Sequence, residues 1–182
     1  MVIRRIKSKH SLWYKIIRIL LLSLPFWTVV IAIIGSESWF TDVRSTGLSP
    51  LLAIPVIYYW RSNRPLQLPL WSIVILSLLQ DTVSGTLLGV HFFIYIQVFL
   101  FTQTKFIWQF GGVFWVAWLW FSVVCAFCYI SDYLIHFLVI YKAQILLNPM
   151  LGLGGFFATY LSYPIIAWLL TAIDRYFTPK IR

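Results

Sequence analysis

A chain of 182 residues that is 61% hydrophobic and only 10% charged lies outside the soluble range, in which about a quarter of residues are charged. Its apolar runs are long enough to reach across about 30 Å of hydrocarbon, so the composition predicts an integral membrane protein without a separate soluble domain. The net charge of +9 does not point to nucleic acid, because the basic residues sit at the ends of apolar runs, where they anchor and orient a membrane chain.

Residues 1–15 form a basic arm with Arg4, Arg5, Lys7, Lys9 and Lys15 and no acid. It leads into a first predicted helix over Ile16–Ile34, bent at Pro25. A cleaved signal peptide competes for this segment, but the apolar stretch is long and lacks Ala-x-Ala, so the segment is expected to stay and span. Gly35 to Gly47, with Glu37, Asp42 and Arg44 beside Trp39 and Phe40, reads as an exterior loop with aromatics at headgroup level. Helix 2, over Leu48–Trp60, is about 20 Å long at 1.5 Å per residue and short for a span. It starts earlier, the bilayer thins, or Pro50 and Pro55 make part of it non-helical against protein neighbours.

Tyr58, Tyr59 and Trp60 read as an interfacial belt ahead of the basic turn Arg61-Ser62-Asn63-Arg64-Pro65, whose arginines would touch anionic lipid. Helix 3 is expected over Leu66–Leu79. Asp81 follows at about a helix length from the basic turn. An ionised carboxylate costs about 2.5–3.5 kcal/mol at a helix centre, but at a helix end it stays hydrated, so Asp81 is assigned to an interhelix turn. Ser84 and Gly85 supply that turn. Gly89, four residues on, leaves a patch without a side chain where another helix can approach. Asp81 has two readings: a cap on the backbone donors just after it, or a direct contact with a partner or ion.

Helix 4 is expected over Leu87–Thr104 and helix 5 over Gly111–Ile130. Trp115 and Trp118 share a face of helix 5; lipid contact or helix packing is their ordinary use, and a ligand-stacking box the alternative. Cys125 and Cys128, inside the same apolar run, read as small buried packing residues. Residues 132–148 read as an extension bending into an exterior interfacial segment. Helix 6, over Leu151–Ile173, contains Pro164. Its Gly155, Thr159 and Ser162 make a narrow strip suited to close helix contact.

The fold class is therefore an all-α integral membrane protein: a six-helix bundle over 16–174, between the basic arm and a short basic tail over 175–182. With both termini cytoplasmic, twelve Lys and Arg residues fall inside, and only Arg44 and Lys142 outside, a strong positive-inside bias. The acid and imidazole pairs Asp81–His91 and Asp132–His136 lack a third ligand or a nucleophile, so no enzyme, metal site or cofactor is expected.

The order Pro50, Tyr59-Trp60, Pro65, Asp81, Ser84-Gly85 and Leu88-Gly89, echoed in Tyr163-Pro164 and Asp174-Arg175, resembles the bacterial rod-shape-determining MreD family. Gln80 stands where that pattern has an apolar residue. The resemblance implies a multi-pass subunit of the bacterial cytoplasmic (inner) membrane that scaffolds cell-wall elongation. Implied partners are membrane lipids, MreC, the RodA glycosyltransferase with its penicillin-binding transpeptidase, and, directly or indirectly, MreB. It also implies an alternative, because folds of this kind are similar to the six-helix substrate-binding subunits of vitamin transporters, which enclose a pocket with convergent polar groups.

Overall fold

The structure, a computed structural model, describes residues 23–38, 50–103, 114–140 and 149–177. The described residues are all helical apart from turns. They comprise α1 (Ser23–Ser38), α2 (Ala53–Asn63), a 3-10 turn at Pro65–Gln67, α3 (Leu70–Ser84), α4 (Val90–Thr102), α5 (Phe114–Ile140) and α6 (Pro149–Phe177). The basic arm, the tail beyond Phe177 and the loop residues Trp39 to Gly47, Arg44 among them, lie outside the described residues, as does Lys142.

Helix α2 is the axis of the bundle and packs against α4, α5 and α6. All nine residues from Ala53 to Arg61 are buried, as expected for a helix apolar on every side. This explains its length: a helix sheathed in protein need not match the hydrocarbon thickness. Pro55 falls in its first turn, where a missing N–H leaves no intrahelical bond unmade. The expected belt is corrected here, because Tyr58, Tyr59 and Trp60 point into protein, Trp60 being only 1% exposed. The Tyr58 ring lies 5.1 Å from Phe121 and 5.5 Å from Tyr163, and its hydroxyl donates to the Ala117 carbonyl at 2.9 Å. Tyr59 bonds Thr171 at 3.0 Å, and the Trp60 indole N–H donates to Thr28 at 2.9 Å. One run of three aromatics thus ties α2 to α5, α6 and α1.

The other boundaries follow from backbone chemistry. Helix α3 begins after Pro69, which is extended at φ −70° and ψ 166°, and ends at Gly85, left-handed at φ 67°. Helix α4 begins later than expected because Gly89 holds φ 100° just ahead of it. Helix α5 runs on as helix through Ile140; the remainder of the expected interfacial segment, 141–148, lies outside the described residues. Pro164 sits inside α6, where a proline leaves the carbonyl four residues earlier without its helical donor. That carbonyl belongs to Tyr160, and the Trp118 indole N–H reaches it at 3.4 Å. Trp118 also stacks on the Tyr160 ring at 5.1 Å, so it serves helix packing, whereas Trp115 is exposed.

Among the described residues, two helices, over Phe114–Ile135 and Leu153–Tyr176, are long and apolar enough to cross a membrane. Cys125 and Cys128 are free and buried in the core, as expected of small packing residues.

Candidate functional site: a buried polar cluster where three helices end

The expected interhelix turn at Asp81 is corrected: α3 continues through Ser84, so Asp81 lies in its last turn, and the carboxylate is only 1% exposed. Four donors replace water. Its Oδ2 accepts the Gly89 backbone N–H at 2.6 Å. Its Oδ1 accepts the His91 backbone N–H at 3.1 Å, the His91 Nδ1–H at 2.7 Å and the Thr86 hydroxyl at 3.3 Å. The backbone donors belong to the opening turn of α4, so Asp81 caps that helix by accepting its free N–H groups. The expected cap on the donors just after Asp81 is corrected, because residues 82–84 continue α3; the carboxylate instead reaches across the turn to the backbone donors of Gly89 and His91.

The turn between α3 and α4 is built for this reach. Gly85 is left-handed, and its backbone N–H returns to the Asp81 carbonyl. The Thr86 N–H bonds the same carbonyl at 3.2 Å. The Ser84 hydroxyl donates to the Gln80 carbonyl at 2.6 Å and pairs with Thr86 Oγ1 at 3.0 Å. Nothing lies within 4 Å of a Cβ built on Gly89, so the expected close helix approach is not why glycine stands there; its φ of 100° is. Gly89→Ala should therefore destabilise by about 1–2 kcal/mol through backbone conformation alone, measured as a lower unfolding midpoint, with Gly89→Asn recovering part of the loss.

Next to Asp81, Gln80 is equally buried and joins two further helices. Its amide N–H donates to Glu37 Oε1 at 2.7 Å, and its amide oxygen accepts the Tyr95 hydroxyl at 3.2 Å. Glu37 belongs to α1 rather than to the exterior loop. The His91 and Tyr95 rings, one turn apart on α4, meet edge to face at 6.0 Å. The ends of α1 and α3 and the start of α4 are thus held by one polar cluster. Glu37, Thr86 and Tyr95 were not singled out from the sequence. The departure at Gln80 was the signal, since an amide in an apolar helix needs partners on both of its faces.

This geometry fixes a helix end. Thr86 and Asp81 both approach the same imidazole nitrogen, Nδ1, whereas a nucleophile relay needs the hydroxyl and the carboxylate on opposite nitrogens. Among the described residues, no group of three His, Cys, Asp or Glu side chains is placed to hold a metal. The side chain of His136, expected to pair with Asp132, lies outside the described residues.

The remaining residues singled out from the sequence lie elsewhere. Pro50 is buried just ahead of α2. The adjoining Leu51 N–H donates to Thr159 Oγ1 at 3.0 Å, and Thr159 also bonds the Tyr129 hydroxyl at 2.8 Å. Gly155 is buried on the same strip of α6, and the Ser162 hydroxyl returns to the Thr159 carbonyl at 2.7 Å. The strip is therefore a joint within the bundle, where α6 meets α5 and the entry to α2. Thr159→Val keeps the shape but removes both bonds; a loss of about 1–2 kcal/mol is expected, with Tyr129→Phe losing less.

At the opposite end of α3, Pro65 starts the 3-10 turn, and its carbonyl accepts Arg61 Nη1 at 2.6 Å. Of the two arginines of this turn, Arg61 is buried, and Arg64 pairs with Asp174 at 3.1 Å. No family model matches the sequence, and no curated protein and no solved structure matches it.

Proposed function

We propose that the protein is a non-enzymatic scaffold subunit of the cell-wall elongation complex in the inner membrane of a rod-shaped bacterium, with all six helices in the bilayer and both termini cytoplasmic. The observation that carries this reading is the division of labour between polar and apolar side chains. The buried polar groups described above are engaged in joining helices to one another. The two long helices pack Phe121 and Tyr163 into the core but leave most of their remaining apolar surface uncovered: only 22% of each membrane-length window is buried, and Trp168 is 74% exposed. The core helix of a soluble protein would be mostly covered. In a bilayer such a flank faces lipid or another transmembrane helix, and association there depends on packing.

Together with the resemblance to MreD, this supports MreC as the partner held along the flank, with RodA, its penicillin-binding transpeptidase and MreB reached directly or through it. The test is a pull-down of the intact chain from solubilised membranes. Recovery of MreC and wall-synthesis enzymes is the expected result. A tightly co-purifying small metabolite without those proteins would instead favour the substrate-binding subunit of a transporter.

A further inference from the structure

The 3-10 turn and the last turn of α4 border a cavity of about 850 Å³, lined by Arg61, Arg64, Gln67, Leu70, Phe99 and Gln103 among others. Arg61 is its unusual member. It is only 6% exposed, and its Nη1 donates to the Pro65 and Leu68 carbonyls at 2.6 and 3.3 Å. Its guanidinium carbon sits 4.0 Å from the centre of the Phe99 ring. Its Nε has no hydrogen-bond partner. The carbonyls and the ring offer partial charges only, and no carboxylate among the described residues pairs with Arg61. Arg64, on the same wall, is already matched by Asp174. A buried cation without a full counter-charge is unfavourable, and an anion in the cavity would supply the missing charge.

We propose that this cavity binds a phosphate group, with Arg61 as the principal cation and the Gln67 and Gln103 amides as further donors. A guanidinium suits phosphate because its planar fork offers paired N–H groups. The cavity also has apolar walls in Leu70 and Phe99, and Leu66 beside them is almost fully exposed. This fits a phosphate on an acyl chain, an anionic lipid headgroup, while free phosphate would share the same polar contacts.

The experiment uses the full chain purified in detergent and follows the unfolding midpoint while phosphatidylglycerol, phosphatidylcholine or inorganic phosphate is added. Phosphatidylglycerol should raise the midpoint and phosphatidylcholine should not; a rise with inorganic phosphate alone would identify free phosphate as the ligand. Arg61→Gln should abolish the response. Because Arg61 also holds the Pro65 turn, Gln67→Glu provides a second variant: it places a negative charge on the cavity wall and leaves every bond of Arg61 in place. Its half-saturating concentration should rise about tenfold. An equal response to both lipids, no response to any of the three additions, or a Gln67→Glu protein that responds as the wild type does would overturn the proposal. No partner protein enters this test, so its failure leaves the scaffold reading standing.

Discussion

Asp81→Ala is expected to destabilise the bundle by about 3–5 kcal/mol, the range for removing one member of a buried ion pair or network. Alanine would leave the Gly89 and His91 backbone N–H groups with no acceptor in a buried site, and the His91 ring nitrogen with only the Thr86 hydroxyl at 3.3 Å. Each orphaned donor carries a desolvation penalty of about 1–3 kcal/mol, so the sum is large even if the turn relaxes. Asp81→Asn retains one acceptor oxygen and should fall between alanine and wild type. Reversible unfolding of the purified protein measures all three. A second readout separates structure from partner contact: if Asp81→Ala accumulates and unfolds normally but fails to support rod shape, Asp81 acts on a partner and not through the cap.

Trp60→Ala carries the second large effect, expected at about 3–5 kcal/mol by the range for aromatic-to-alanine changes in a packed core. Removing the indole empties the contact between α1 and α2 and leaves Thr28 Oγ1 without its donor. The loss comes from the packing of the ring and from the hydrogen bond. Trp60→Phe, which keeps most of the volume, should lose about 1 kcal/mol. A ring lying at the headgroup level would give a small effect for both substitutions, so the pair distinguishes core from belt.

That distinction marks how far the sequence could be read. The apolar runs and their Gly and Pro punctuation located six helices in order, and the turn at Ser84-Gly85 was legible because a left-handed residue after an apolar run ends a helix. The orientation of Tyr58, Tyr59 and Trp60 was not legible. In a soluble protein, polar residues mark the outer face of a helix; in a membrane both faces are apolar, and periodicity cannot separate lipid from protein neighbours. The same difficulty hid the role of α2, whose short length pointed to thinning or distortion when full enclosure was the reason.

At the candidate site, Asp81 was recognisable because an acid in an apolar run is unusual. Its pairing with the His91 ring was legible as an acid and imidazole pair, but the backbone donors of Gly89 and His91 were not, because they lie eight and ten residues away across a turn whose path depends on the positive φ of Gly89. Glu37 was out of reach for a similar reason: it follows Gly35-Ser36, which reads as a helix end, yet α1 continues through Ser38 and brings the carboxylate to Gln80. Arg61 looked like any basic residue flanking a span, and only the fold of the Pro65 turn over it shows that it is enclosed.

The bundle is proposed to work by offering its flanks to neighbouring membrane proteins. Depleting the protein in a rod-shaped host and following cell outline, with MreC recovery on the tagged chain measured in the same strain, tests it most directly. Rounding of the cells on depletion, restored by the wild-type chain together with MreC association, is the predicted result. Cells that keep their elongated outline, with a purified protein that holds a metabolite and no MreC, would contradict it.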